Sequence, residues 1–345
     1  MMQFQQQPKQ ATLEGMHLTP EVVRRRFDES RIPLDGSFSA LYSNFQDDIA
    51  RTDNMKKVFE QELVKERSGS VAEALVFSCI KDGALGSKIT ARGSSLYDDL
   101  FKGADIIIES GVRQMRDPII SSIDVTTHQQ NIADPGYSAF EKGGVIEEVG
   151  LDKKLRRVKR HLHSIADISS EEAIGLNAWI QSGGLSQKRG SNNEKFFRKA
   201  EEVMLLKYYK NPTSSDEPDK PHAVLAGPQI VVSLDSIFVN KVFQGSSQEK
   251  ALKDVSMLLQ AEVPFAVAVM SQYLEKKAVE MRRKGKNSNI FFDMTRSATK
   301  AWELSFDDSI YQHRVQEALQ YCLKDRQLSQ QLGVYRNSMM EEFGS

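Results

Sequence analysis

The residues best suited to chemistry lie in two stretches. The first is Ser95-Leu96-Tyr97-Asp98-Asp99-Leu100-Phe101-Lys102-Gly103-Ala104-Asp105-Ile106-Ile107-Ile108-Glu109, and the second is Ser122-Ile123-Asp124-Val125-Thr126-Thr127. Side chains alternate along a strand, so Asp105, Ile107 and Glu109 share one face, and Ser122, Asp124 and Thr126 share one in their turn. A hairpin across the 111–118 connection would bring acids from both strands to a common sheet face. Carboxylates buried in apolar strands are costly without compensation, and one divalent cation compensates several of them. Mg²⁺, or Mn²⁺, suits such hard oxygen donors; it activates water and neutralises charge developing on a phosphodiester. The plain alternative is a partly exposed sheet whose acids simply meet water.

The order of these parts is a helix carrying Glu73, a strand, a strand beginning at Asp105, a strand carrying Asp124-Val125-Thr126, and a basic helix. Over about residues 50–235 this resembles the core of the PD-(D/E)XK nuclease superfamily. The resemblance implies Mg²⁺-dependent hydrolysis of phosphodiesters in DNA or RNA, with Asp105 and Asp124 as metal ligands and Glu73 assisting them. Glu109 would assist directly or through water. The family's lysine, two residues after the second acid, orients the attacking water. Thr126 stands at that position and carries no positive charge. Lys153 or Lys159 on the following helix are nearest to take over, and Lys88 and Lys142 are further lysines to place. Otherwise the fold keeps only binding, as an inactive nucleic-acid-binding or protein-interaction module. The pattern of Tyr97-Asp98-Asp99, Gly103-Ala104-Asp105, Glu109 and Asp124-Val125-Thr126 is also similar to candidate-phylum bacterial proteins with this core, a likeness that implies no established activity.

Several of these residues have a second meaning. Glu73 lies three residues after Ser70, so it also fits a capping box. Asp98 and Asp99 fit the end of a turn as well as a metal. Lys153, Lys154, Arg156, Arg157, Lys159 and Arg160 put six cations between Asp152 and His163. That is either a grip on backbone phosphates, through counterion release, or a solvated helix face. Lys276, Lys277, Arg282, Arg283, Lys284 and Lys286 read as a solvated helix end. His128 fits a structural role before a catalytic one. His161 and His163 point to different sides of a helix. Gly143-Gly144 lacks a phosphate-cradling pattern.

The elements that must position these groups follow from periodicity. The spacing predicts helices from Pro20 to about Arg67, broken at Ser30 to Ser39, and a helix N-capped by Ser70 and ending at Asp82-Gly83. Ser87 to Arg92, Ala104 to Glu109 and Ile119 to Thr127 read as three consecutive strands, and Pro221 to Asp235 as one more, bent or broken at Gly227-Pro228. Leu151 to Ile168 and 170–210 read as helical, 128–150 and 211–220 as loops, and the chain after Ser247 as helices over 248–262, 263–283 and 308–332. The expectation is an α/β protein: a mixed sheet of about four strands flanked by helices, with a helical C-terminal region. Its parts are a loose Gln-rich tail (1–20), an N-terminal helical region (21–69), an α/β core (70–235) and C-terminal helices (248–335).

Composition bounds the rest. The chain has 345 residues, 46 Lys plus Arg against 47 Asp plus Glu, and a formal charge of -1, so any nucleic-acid surface must be local. Cys79 and Cys322 are the two cysteines, too few for a disulfide framework or a cysteine-ligated zinc site. Val263 to Met270, the longest apolar run, falls short of a membrane span, and no signal peptide is evident at the N-terminus. The expectation is a cytoplasmic protein without a membrane segment, with a protein partner or a second copy meeting the C-terminal helices.

Overall fold

The computed structural model describes residues 18–39, 42, 45–62, 67–110, 119–128, 150–181, 196, 199–200, 205–210, 221–225, 227–243, 248–307 and 309–344. The tail, the loops at 128–150 and 211–220, and Lys142 fall wholly or almost wholly outside these residues.

Four strands form the central sheet: β1 (Ile89–Gly93), β2 (Ile106–Ser110), β3 (Ile119–His128) and, last in space, the strand Gln229–Asp235. Ile and Val dominate β2 and the last strand because both are buried on their two faces. β1, β2 and β3 pair antiparallel, with Ile106 opposite Ile123 and Glu109 opposite Ile120. The hairpin expected from the sequence is therefore present. β3 pairs parallel with Gln229–Asp235, placing Asp124 beside Val231. The fold is the mixed four-stranded α/β arrangement that the periodicity predicted.

Two strands depart from that reading. Leu205–Lys210 (β4) lies in the span read as helical, and Pro221–Leu225 (β5) belongs to a sheet different from that of Gln229–Asp235 (β6). β4 and β5 pair antiparallel as a separate two-stranded sheet, and the chain turns at Gly227-Pro228 before entering β6. Burial decides the first point: Leu206, Tyr208 and Tyr209 pack with Phe38, Tyr42, Phe45 and Tyr97 in a second hydrophobic cluster.

The helices before the site residues are α1 (Pro20–Asp28), α2 (Phe45–Glu62), α3 (Arg67–Lys81) and α4 (Leu96–Lys102). α3 begins at Arg67, so Ser70 is inside the helix and Glu73 is not a capping-box residue. Ser95 caps α4 by accepting from the Asp98 N–H at 3.0 Å, and Gly103 ends it at φ +63°, a conformation glycine adopts without strain. α5 (Gly150–Asp167) buries Leu151, Leu155, Val158, Leu162 and Ile165 along one stripe, which fixes where its cations point.

α6 (Ser170–Gln181) and α7 (Ser236–Val242) lead to the C-terminal helices. There α8 (Gln248–Arg283) runs unbroken through Pro264, because burial of Ala261, Val263, Ala266 and Val267 around the proline outweighs the hydrogen bond it removes. α9 (Ile290–Ser305) follows. The span 308–332 divides into α10 (Ser309–Lys324) and α11 (Arg326–Phe343), where Asp325 accepts from the Gln327 and Leu328 N–H groups. α8 and α11 pack on β6 and α11 on α5, and one hydrophobic cluster runs from Leu18 to Phe343. A window of α8 is long and apolar enough to cross a membrane, which the sequence reading missed, but 67% of it is buried within the fold, as in a core helix.

Candidate functional site

Glu73 on α3, Asp99 on α4 and Asp105 just before β2 converge. One carboxylate oxygen from each lies within 4.8 Å of the others. The local structure explains the meeting. The Ser95 cap and Gly103 set the rotation of α4, so Asp98 and Asp99, about 100° apart round the helix, meet different neighbours. Asp98 turns to β4, while Asp99 turns to Asp105. The Asp105 carboxylate is held by the Val125 N–H of β3 at 2.6 Å. Glu73 comes from the α3 face that packs on β1 and β3.

The convergence perturbs Asp105 and Glu73. Burial, then the nearby Glu73, Asp124 and Asp99, raises the Asp105 pKa well above the carboxylate range. Glu73 is pushed up to about 8, again by burial first and Asp99 second. Three acids this close cannot all ionise cheaply without a cation. Arg31, from the segment after α1, supplies part of that charge. It pairs with Asp99 at 2.7 Å, and although burial opposes its charge, Asp99, Glu73 and Asp105 raise its pKa. Gly93 makes room for it, since a side chain there would meet the Arg31 stem at 2.6 Å.

Asp124 stands outside this trio. Its two oxygens accept from the Lys154 ammonium and the Arg157 guanidinium of α5. Lys154 also donates to the Val125 carbonyl at 2.5 Å. Burial opposes its charge, but Asp124 and Asp105 raise its pKa, and it remains a cation. One residue of β3 thus carries both sides of the site: the Val125 N–H holds Asp105 and the Val125 C=O, in the next amide, holds Lys154. The acid set predicted from sequence, Asp105 with Asp124 and Glu73, differs from the trio by one member, Asp99.

The other predicted positions fall elsewhere. Glu109 sits four residues along β2, about 13 Å from Asp105 by strand rise, paired with Arg92 at 2.7 Å and accepting from the Tyr209 hydroxyl at 3.1 Å. Thr126 packs beneath the start of α5, its Oγ1 3.0 Å from where a side chain on Gly150 would begin. Lys153 is exposed, and Lys159 points to α11, pairing with Glu342 at 3.5 Å. Lys88 is exposed before β1, and His128 ends β3 opposite Asp235. Of the basic run, Lys154 and Arg157 reach the acids. Arg156 pairs with Glu342 at 3.1 Å, and Arg160 is exposed.

Sequence reasoning favoured a turn role for Asp99 over a metal ligand, and missed Arg31 and the position of Lys154. The last was recoverable. The stripe Leu151, Leu155, Val158, Leu162 fixes the helix rotation and leaves Lys154 and Arg157, three residues apart, on the flank beside β3. Compared with known protein families, curated proteins and solved structures, the chain finds no match.

Proposed function

We propose that the chain is a metal-dependent nuclease that hydrolyses phosphodiesters in DNA or RNA, with a PD-(D/E)XK-like core. The observation that carries this reading is the approach of Glu73, Asp99 and Asp105 to within 4.8 Å beside a lysine held on the next strand. The donors are all carboxylate oxygens, which fits Mg²⁺ or Mn²⁺ better than softer ions. When bound, such an ion lowers the pKa of a water and offsets charge on the phosphoryl oxygens.

The protein's own groups do the rest. Asp105, fixed by the Val125 N–H, and Asp99, fixed by Arg31, offer oxygens at set positions. Glu73 holds a proton near neutrality in the free chain and gives it up when a cation arrives. The Lys154 ammonium stands where it can orient an attacking water, a role that Thr126 cannot fill. Arg157 is placed to take a phosphoryl oxygen from its perch on Asp124. A cytoplasmic location belongs to the same reading.

A second reading, an inactive binding module on the same fold, draws on one observation. Both oxygens of Asp124 are already taken by cations. Purified protein incubated with plasmid DNA and with labelled RNA, in Mg²⁺, Mn²⁺ or EDTA, separates the two. The nuclease reading expects cleavage that needs the metal and drops about a thousandfold in Asp105→Asn, several kcal/mol of transition-state stabilisation. Equal products from wild type, variant and EDTA controls leave only the binder.

A further inference from the structure

The cations of α5 do not stop at the acids. At 3.6 residues per turn, Lys154, Arg157, then Lys153 with Arg160, then Arg156 follow one another round the helix in steps of about 40–60°. The first two face Asp124. The last three line a hollow of about 480 Å³ completed by Lys159, His163 and Glu342. Glu342, near the end of α11, is its one acid, and it is shared by Arg156 at 3.1 Å and Lys159 at 3.5 Å. Among the described residues, neither Lys153 nor Arg160 has an ion-pair partner. His163 feels this charge: burial, then Lys277 of α8, itself paired with Glu280 at 3.5 Å, and Lys159 lower its pKa, against Asp167 and Glu280. Toward the acids, the guanidinium of Arg157 lies over Gly103, where any side chain would overlap it, and its buried Nε has no hydrogen-bond partner among the described residues.

An arc of positive charge that begins at a metal-suited cluster and ends in a cationic hollow matches a chain of phosphates better than a single anion. We propose that the hollow between α5 and the end of α11 holds a backbone phosphate of the bound nucleic acid, beyond the bond to be cleaved, and that Glu342 is the resident carboxylate this phosphate displaces. The proposal rests on the nuclease reading for its direction, since the arc points from the acids outward. Because the strand must cross a helix about 10–12 Å wide, a substrate needs several nucleotides on that side of the cleaved bond. Dinucleotides fall short. Glu342 sets the affinity: a carboxylate already neutralising two cations must be outcompeted by phosphate.

Binding of a fluorescein-labelled single-stranded 20-mer, followed by anisotropy in EDTA over a series of salt concentrations, tests this on the full chain. Lys153→Glu/Arg160→Glu is expected to weaken binding at least tenfold and to flatten the log–log salt slope by about 1.4, two contacts at ~0.7 each on a single strand. Glu342→Gln is expected to tighten it threefold or more, and inorganic phosphate to compete less well against that variant. Arg283→Glu/Lys286→Glu, at the other basic cluster, leaves binding unchanged. Lys153→Gln/Arg160→Gln, with a melting curve, guards against a folding defect and shows a smaller loss in the same direction. The proposal is overturned if the α5 pair binds like wild type, if both charge-reversal pairs lose affinity equally, or if wild type does not bind. Loss of binding in the α5 pair alongside wild-type protein that never cleaves in metal would instead sink the nuclease reading and leave this site standing.

Discussion

Asp98 and Asp99 are neighbours on α4, yet they belong to two polar regions built on opposite terms. Asp98 is fully buried and every demand on it is met: it accepts from the Ser95 hydroxyl at 2.7 Å, the Lys207 N–H at 2.8 Å and the Tyr208 N–H at 3.0 Å. Asp48, Lys207 and Tyr208 close the same region, with Lys207 paired to Asp48 and the Tyr42 hydroxyl donating to the Lys207 carbonyl at 2.9 Å. Burial raises the Asp98 pKa and the three hydrogen bonds oppose it. Asp99, one residue on, enters a group of like charges in which it pairs with Arg31, while the Lys154 ammonium acts on Asp105 and Glu73. Two acids with five donors between them stabilise a fold, whereas three converging acids beside Arg31 and Lys154 store repulsion that a metal ion can relieve.

If that contrast holds, the largest stability effect belongs to the satisfied region. Asp98→Ala unpins β4 from α4 and leaves two buried N–H groups bare, at a cost of about 3 kcal/mol or more in urea unfolding. Asp105→Asn, by contrast, is expected to keep or raise the stability of the metal-free chain while abolishing Mn²⁺ binding. A comparable loss of stability in both variants would erase the distinction.

Lys154→Met comes next. It removes the cation beside Asp124 and keeps all three acid side chains, so Mn²⁺ binding persists while cleavage falls by about a hundredfold, the range typical of a positioned catalytic group. Retained cleavage would move the lysine's role elsewhere.

A smaller effect lies in pH. Glu73 titrates at about 8 in the free chain, and metal binding needs it ionised. Mn²⁺ affinity, measured by titration calorimetry, should rise from pH 6 to about 8 and then level off. Glu73→Gln should shrink that rise to the part carried by Asp105.

The smallest effect is at His161, whose pKa is lowered to about 4 by burial, then by Arg157, Lys102 and Arg160. Between about pH 6.5 and 4 the unfolded chain binds the extra proton, so stability rises with pH across that window and is lost as pH falls through it. His161→Gln should shrink this slope, leaving the shares of His163 and the carboxylates.

Much of this architecture was legible beforehand, for identifiable reasons. The β-branched runs of β2 and β3 and the single stripe of α5 each have one sensible period, and their registers follow. β4 was not legible: Leu-Leu-Lys-Tyr-Tyr-Lys has no clean alternation, and its strand form depends on aromatic partners more than 100 residues away. The site divides along the same line. Asp105 and Asp124 stood out as acids in apolar strands. Asp99 did not, because whether it or Asp98 faces the sheet depends on how α4 is rotated, and Asp98's bonds to β4 decide that. Lys154 was visible as one of six cations but not as the one beside Asp124, a matter of helix face rather than residue type.

The place of Val125 has a consequence for how such a centre can change. The oxygens offered by Asp105 and the ammonium offered by Lys154 are both gauged from one residue, the first from its N–H and the second from its C=O. Slippage of β3, whether by insertion or by sliding, would carry the two together, so their spacing survives shifts that would ruin a centre assembled from separately anchored parts.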